Sequence, residues 1–478
     1  MGLRSVDEYK ESLRDGRRVY IFGEKVEDIT THPILGVAVD SVAQGFALTS
    51  SDDPEIRNLF AAPHPETGEM VNRYFITPRN SEDLANRTKM LQRSVELVGI
   101  YPFGKEIGTD CLNAAFVVAG QMGNTEYQER AFKFLEYVRK HDLALCGAVT
   151  DVKGNRSKIP SEQKHPNYYL RVVDKNKEGI VVKGAKIHIT SGALANEIVV
   201  VPTRQMREGE GNYAISFAIP ANTEGITYIC RPGRGAWTEY EFHGETPVRQ
   251  FSEAMIIFDN VLVPWDRVFM CGEWDYSMLL AYTFATFHRF TAISYKVPLV
   301  ENTAGCAVAM AEYNGLEKVN HIREKLADIA AYVETLRALV NASAREPVMY
   351  GPIAVPSPLI TNMAKLHFAR NYHGFIENIQ DIAGGIIATV PTKKDWENPD
   401  VQDYLEHYLG GSEKYSTEDR LKMIHHTHRR VCSAESAWDE VVTIHAEGST
   451  AAQKMMILAE APLERYKEIA KDAAGISS

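Results

Sequence analysis

Between residues 141 and 272 apolar and polar positions tend to alternate with a period of two. On either side of that stretch apolar positions recur every three to four residues. The alternation is plainest at Lys186-Ile187-His188-Ile189-Thr190, a half-buried strand pattern. Ile180-Val181-Val182 precedes it, and Lys183-Gly184 reads as a turn dipeptide between the two, which predicts a hairpin. Ser191-Gly192-Ala193 reads as the next turn, before an apolar strand at 198–201. Further strands are predicted at 170–173, 213–219, 226–230 and 254–263. Gly, Pro and Asn punctuate them as in an antiparallel barrel or sandwich. The loop 148–157 carries hydroxyl, carboxylate and cationic groups. Together with the hairpin tip it can present amides and threonine hydroxyls to a flat polar ring, although on composition alone it is a sandwich edge with two polar turns.

Residues 1–140 are predicted as a mainly helical domain. Ser5 reads as an N-cap with Glu8 reaching back to it, residues 20–23 as a short extended piece, and Ser81 as the cap of a helix carrying Leu84, Met90, Leu91, Val95 and Val98. The run 110–122 is apolar on most sides and so reads as a buried helix. Residues 273–478 are predicted as a C-terminal helical bundle. Ile322, Leu326, Ile329, Val333, Leu336 and Val340 mark one long amphipathic helix within it. Residues 348–358 read as a proline-rich connector and 393–414 as a polar irregular insertion with a turn at 410–412. The expected fold is thus α+β, with a helical domain, a central antiparallel β-barrel or sandwich at 141–272, and a helical bundle.

Length and composition narrow the class. A chain of 478 residues is too long for one simple core. Its net charge of -11 argues against a nucleic-acid surface, which needs clustered Lys and Arg. No apolar run approaches the roughly 20 residues a membrane helix requires, and the first residues lead into a charged helix pattern rather than a secretion signal. Six scattered cysteines, Cys111, Cys146, Cys230, Cys271, Cys306 and Cys432, fit reduced thiols. The expected location is cytoplasmic. No G-x-G-x-x-G opens a strand-to-helix unit, so nicotinamide binding of the Rossmann kind is not expected.

Two motifs carry a resemblance. Gly147-Ala148-x-Thr150-Asp151 followed by Arg156, and Lys183-Gly184-x-Lys186 running on to Thr190, Gly192, Ala195, Glu197 and Val200, resemble the flavin-cradling region of the acyl-CoA dehydrogenase fold. They are most similar to the branch that holds 4-hydroxyphenylacetate 3-hydroxylase, the chlorophenol monooxygenases and 4-hydroxybutyryl-CoA dehydratase. Residues 5–33, 258–269 and 381–391 share the likeness, so it covers nearly the whole chain. The resemblance implies FAD as cofactor, delivered in reduced form by a separate flavin reductase, and a homotetramer or homodimer. It implies Thr150, Lys153, Arg156 and Thr190 as cofactor-binding residues. Lys296 is similar to a lysine near the flavin of the dehydratase. Gly384-Gly385 looks like the pair where a helix N-terminus approaches the cofactor's phosphates, or else a helix-packing contact.

The same resemblance makes His288 a candidate for chemistry. It implies a cluster ligand in the dehydratase and a base on the phenol in the monooxygenases, against a bland reading as a packed helix histidine. The dehydratase's three cluster thiolates fall at Pro102, Glu106 and Tyr295 here, so no iron–sulfur cluster is expected. Tyr295 joins His288 as a catalytic candidate. The hydroxylase's substrate-orienting arginine, tyrosine and histidine are Ile107, Cys111 and Gly147, with Lys105 a conceivable substitute cation. The dehydratase's catalytic glutamate is Val442, and Glu447 reads either as a replacement acid or as a surface residue near His445. His425 and His428 stand one helical turn apart, but a solvated face explains them better than a metal site. The resulting expectation is the oxygenase component of a two-component monooxygenase acting on a phenolic or related small molecule. The alternative is a cluster-free acyl-CoA dehydratase, isomerase or dehydrogenase, and a third class is a flavin-binding remnant without activity.

Overall fold

The computed structural model describes residues 2–64, 66–232, 242 and 250–476. Ten strands in two sheets form its centre: β1 (Val19–Ile21), β2 (Glu24–Val26), β3 (Leu145–Ala148), β4 (Arg171–Lys175), β5 (Gly179–Thr190), β6 (Glu197–Val200), β7 (Ile215–Pro220), β8 (Ile226–Pro232), β9 (Ser252–Pro264) and β10 (Val268–Cys271). One sheet runs β2-β1-β8-β9-β5-β4 and the other β10-β7-β6-β3. Both sheets are open, so no closed barrel forms among the described residues. Nor is the pairing purely antiparallel: β1 lies parallel to β8 and β3 parallel to β6. Ile180, Val182, Ile256 and Phe258 of one sheet meet Ile198, Val200 and Phe217 of the other in one apolar core.

The predicted hairpin at Lys183-Gly184 is absent, because β5 runs unbroken through it. Its flanks decide this: Lys183 pairs with Arg171 of β4 and Gly184 with Phe258 of β9, so ladder bonds on both sides outweigh the turn signal. Glycine is still required at 184. Its φ is +145°, and a Cβ there would lie 2.7 Å from the Leu170 Cα.

Helices enclose the sheets. Ser5 and Glu8 make the expected capping box. Eight further helices matter below: α1 (Ser81–Val98), α2 (Glu106–Met122), α3 (Ser277–Tyr313), α4 (Asn320–Arg345), α5 (Pro358–Ala383), α6 (Ala434–His445), α7 (Thr450–Glu460) and α8 (Leu463–Ala473). The cap of α1 is Asn80, whose side chain accepts from the Asp83 amide, and not Ser81. The expected connector at 348–358 is a short hairpin, Val348–Tyr350 with Ile353–Val355, before α5 opens on Pro358. The insertion at 393–414 holds two short helices, Lys393–Trp396 and Gln402–Tyr408. Among the described residues no helix is long and apolar enough to cross a membrane. Helix α3 is 37 residues long and mostly buried. It passes α1, α2, α4 and α5 in turn, and so brings side chains of several segments to one place.

Candidate functional site

The first group forms where α1, α2 and α3 meet. Asp110 lies near the start of α2 and is fully buried. It accepts from Nη2 of Arg87 on α1 at 2.7 Å, and its other oxygen lies 3.6 Å from Nδ1 of His288 on α3. Neither that oxygen nor His288 Nδ1 has a hydrogen-bond partner among the described residues. Phe284, one turn earlier on α3, stacks on the imidazole with centroids 5.2 Å apart. A buried carboxylate at ion-pair range of Nδ1 favours the tautomer with its proton there, which leaves Nε2 free to accept one, the arrangement of a base and its orienting group.

The second group lies two turns further along α3. Tyr295 stacks on Tyr101 at 4.6 Å, and the Tyr101 hydroxyl reaches that of Tyr74 at 2.8 Å. Phe103 packs edge-on against Tyr295 and then against Phe251 at 4.9 Å, which ties the helices to the start of β9. The Tyr295 hydroxyl sits 3.4 Å from Oε1 of Glu447. Oε2 of the same carboxylate receives Lys296 of α3 at 2.6 Å and Lys365 of α5 at 2.8 Å. Burial alone would raise the Glu447 pKa; Lys296, then Lys365 and His288, outweigh it and hold the carboxyl well below its usual range. Glu447 is therefore a buried ionised group, not a surface residue. Its φ of +59° is a strained conformation for a non-glycine. The surroundings hold it there, since Arg289 Nε donates to its carbonyl at 2.8 Å and Nη1 of the same arginine donates to Asn362.

The third group lines the sheet edge. Thr150 accepts at its carbonyl from the Ile187 amide, so the 150s loop is seated on β5. The buried Asp151–Lys186 pair, 3.0 Å apart, anchors it. Lys153 and Arg156 make no ion pair among the described residues. Burial and then the charge of Arg156 depress the Lys153 ammonium, while burial followed by Lys153 and Arg156 depresses His188. At the end of β5, Thr190 Oγ1 donates to Glu253 Oε1 at 2.8 Å. Glu253 Oε2 and the Ser191 hydroxyl are buried with no partner, and burial pushes the Glu253 carboxyl up to about 7. Uncompensated cations at one end and unpartnered polar atoms at the other suit an anionic ligand bearing a polar ring.

The other candidates divide. Gly384 ends α5 with φ +72°, and the helix after Gly385 is only four residues long, Ile386–Thr389. The pair therefore stands where one helix closes and a single-turn helix opens. Lys105 does not replace the missing arginine: its ammonium lies 3.2 Å over the Phe46 ring and 3.4 Å from Asp142. His425 and His428 are bonded separately to the carbonyls of Pro391 and Ile387. Among the described residues no three His, Cys, Asp or Glu side chains converge as a metal site would require. Ile107, Cys111 and Gly147 form a close apolar contact, where a Cβ on Gly147 would lie 2.5 Å from Ile107 Cγ2 and 2.9 Å from Cys111 Sγ.

Sequence reasoning missed Lys365, Arg87 and Glu253. Lys365 left a trace, because it shares a helix face with Thr361, Ala364 and Phe368, all of them buried. A charge on such a face needs a partner, but nothing local names Glu447.

Two family models, described as the N-terminal and C-terminal parts of 4-hydroxyphenylacetate 3-hydroxylase, match residues 5–270 and 278–475. The chain is 31% identical to a 4-hydroxybutyryl-CoA dehydratase/vinylacetyl-CoA-Δ-isomerase of Clostridium aminobutyricum, over 99% of its own length and 100% of that protein. It is 30% identical to the oxygenase component of a 4-hydroxyphenylacetate 3-monooxygenase of Thermus thermophilus, over 91% of this chain and 88% of that one. A solved oxygenase component of 4-hydroxyphenylacetate 3-monooxygenase, complexed with FAD, superposes with a TM-score of 0.87 at 27% identity, covering 98% of each chain.

Proposed function

The chain belongs to the 4-hydroxyphenylacetate 3-hydroxylase family, and we propose that it is an FAD-dependent enzyme that moves protons on an acyl-CoA thioester, a cluster-free isomerase or dehydratase. Lys153, Arg156, Thr150 and Thr190, with Glu253, would hold the FAD, which supplies an electron-accepting ring when bound. Lys296, bonded to Glu447, would complete that set. The carrying observation is the buried Glu447 carboxylate with Oε1 beside Tyr295, set against the apolar Ile107–Cys111–Gly147 contact where a phenol's polar partners would stand.

In this reading His288 Nε2 accepts the α-proton of a β,γ-unsaturated thioester, while Glu447, kept ionised by its two lysines, holds their charge beside the developing enolate oxygen. The imidazolium so formed, with Asp110 beside its Nδ1, returns that same proton at the γ-carbon, so one base carries the whole shift. The double bond moves, no net oxidation occurs, and no oxidant is consumed. Tyr295 and its stacked neighbours Tyr101 and Phe103 exclude water from the carboxylate.

A second reading has its own support. His288 with Asp110 is equally a base for a phenol hydroxyl, and FAD-bound oxygenase components are among the chain's structural relatives. A flavin reductase would then be the partner. In either case the division at about residues 140 and 272, an assembly as homotetramer or homodimer, and a cytoplasmic location belong to the proposal. The test is the FAD-loaded protein against β,γ-unsaturated acyl-CoA thioesters and against phenols, with and without oxygen. Thioester turnover under strict anaerobiosis is expected. Oxygen-dependent turnover of a phenol with reduced FAD, and none of any thioester, would establish the second reading instead.

A further inference from the structure

Two buried lysines share one carboxylate oxygen. Lys296 and Lys365 lie 2.6 and 2.8 Å from Glu447 Oε2, and the lysine side chains are 1% and 0% exposed against 3% for the glutamate. Arg289 and His288, also on α3, face the same residue, and no second carboxylate pairs with either lysine among the described residues. One carboxylate compensates one ammonium, and a second buried charge without a counter-charge is strongly unfavourable. The cluster can resolve the imbalance in two ways: it gives up one proton, or it takes in an anion. Burial and the second lysine do depress the Lys365 ammonium, against the pull of Glu447.

The bonding says where an anion would go. Lys365 is spent on protein, with Thr443 and Ile444 carbonyls at 2.6 and 3.4 Å besides Glu447. Lys296 has one hydrogen bond among the described residues, to Glu447, and otherwise faces the Tyr295 and Phe368 rings. We infer that the Lys296–Glu447–Lys365 cluster is a proton-coupled anion site: it takes up one proton as a unit when an anionic oxygen settles at Lys296 beside Tyr295. In the proposed reaction that oxygen is the thioester enolate, and in the second reading it is a phenolate. The inference rests on this cluster being the reacting site, but it is read from binding alone and needs no turnover.

Butyrate and benzoate serve as probes, one acyl and one aromatic, both fully ionised at neutral pH and above. Isothermal calorimetry on the full chain, in buffers of differing ionisation enthalpy, counts the protons. The wild type should take up one proton in the alkaline range, its affinity falling about tenfold per pH unit there. Lys365→Met and Lys296→Met each leave one cation facing one carboxylate, so both should bind more weakly at pH 6 and lose the slope. A merely structural lysine would shift affinity by the same factor at every pH and leave the slope intact. Preference for butyrate or for benzoate tells the two substrate classes apart. A wild type without the slope, variants that both keep it, or no binding of either probe at millimolar concentration would overturn the inference.

Discussion

Asp110 stands between two helices, its Oδ1 2.7 Å from Arg87 and its Oδ2 3.6 Å from the His288 imidazole. One carboxylate thereby neutralises a buried guanidinium and orients a candidate base. Asp110→Asn keeps the shape and removes the charge. Leaving Arg87 buried and unpaired should cost about 3 kcal/mol of stability, and turnover should fall by about 100-fold or more as His288 loses the carboxylate beside its Nδ1. Chemical denaturation alongside single-turnover kinetics separates the two effects. A variant as stable and as active as the parent would deny Asp110 both roles.

His288→Ala isolates the second role, since no carboxylate or cation is orphaned in the protein's interior other than the far side of Asp110. Turnover should drop by roughly 100- to 10,000-fold, the usual worth of general base catalysis. FAD affinity, followed by flavin absorbance and fluorescence titration, should stay within a few-fold of the parent. Full activity would remove His288 from both readings of the reaction.

What the sequence makes legible is local. His288, Tyr295 and Lys296 belong to one continuous helix, and Thr150, Lys153, Arg156 and Thr190 to one loop and strand, so a local motif is enough to nominate them together. Partners brought from elsewhere were not legible. Glu447 lies 151 residues from Lys296, and no periodicity relates them; the same holds for Arg87 and Asp110. The false hairpin at Lys183-Gly184 has the same origin, because the turn signal is local whereas the ladder bonds that override it come from β4 and β9. The glycine pair at 384–385 marks a helix end, but the length of the helix after it is not readable from the bare dipeptide.

Gly147 tests the apolar wall. A Cβ there meets Ile107 and Cys111 at 2.5 and 2.9 Å, too close without movement of α2 against β3. Gly147→Ala should destabilise by about 1–3 kcal/mol, the ordinary cost of overpacking. Gly147→His, which restores one residue of the hydroxylase pattern, should be worse and should bring no phenol turnover. A thermally silent Gly147→Ala would show that the wall yields, and would reopen the phenol pocket.

Helix α8 bears on assembly. Leu463, Tyr466 and Ile469 recur along one face and all are exposed, as are Met455 and Leu458 on α7. An apolar stripe of this kind calls for a covering surface. With the proposed homotetramer or homodimer in mind, Tyr466→Glu with Ile469→Glu should lower the sedimenting mass while leaving far-ultraviolet circular dichroism unchanged. An unaltered mass in sedimentation velocity would place the interface elsewhere, and a monomeric parent at micromolar concentration would remove the oligomer.

Glu253 gives a prediction in pH. Burial pushes its carboxyl up to about 7, against the hydrogen bond from Thr190. The folded value thus lies above the unfolded one of about 4.3. Between the two values the folded chain holds a proton that the unfolded chain has released, so stability falls as pH rises. The contribution is fully present below about pH 4.3 and is lost as pH passes through 7, to the extent of about 3 kcal/mol. Glu253→Gln keeps an oxygen for Thr190 and cannot ionise, so it should match the parent near pH 5 and exceed it by that amount near pH 8. Glu106 and Glu197 are raised to the same range by burial. Both chains therefore keep a falling trend, and the quantity to measure is the difference between their urea-denaturation free energies in the flavin-free state. A difference that stays constant from pH 5 to 8 would mean that Glu253 is ionised throughout, and that the polar end of the sheet-edge site presents a carboxylate instead of a proton donor.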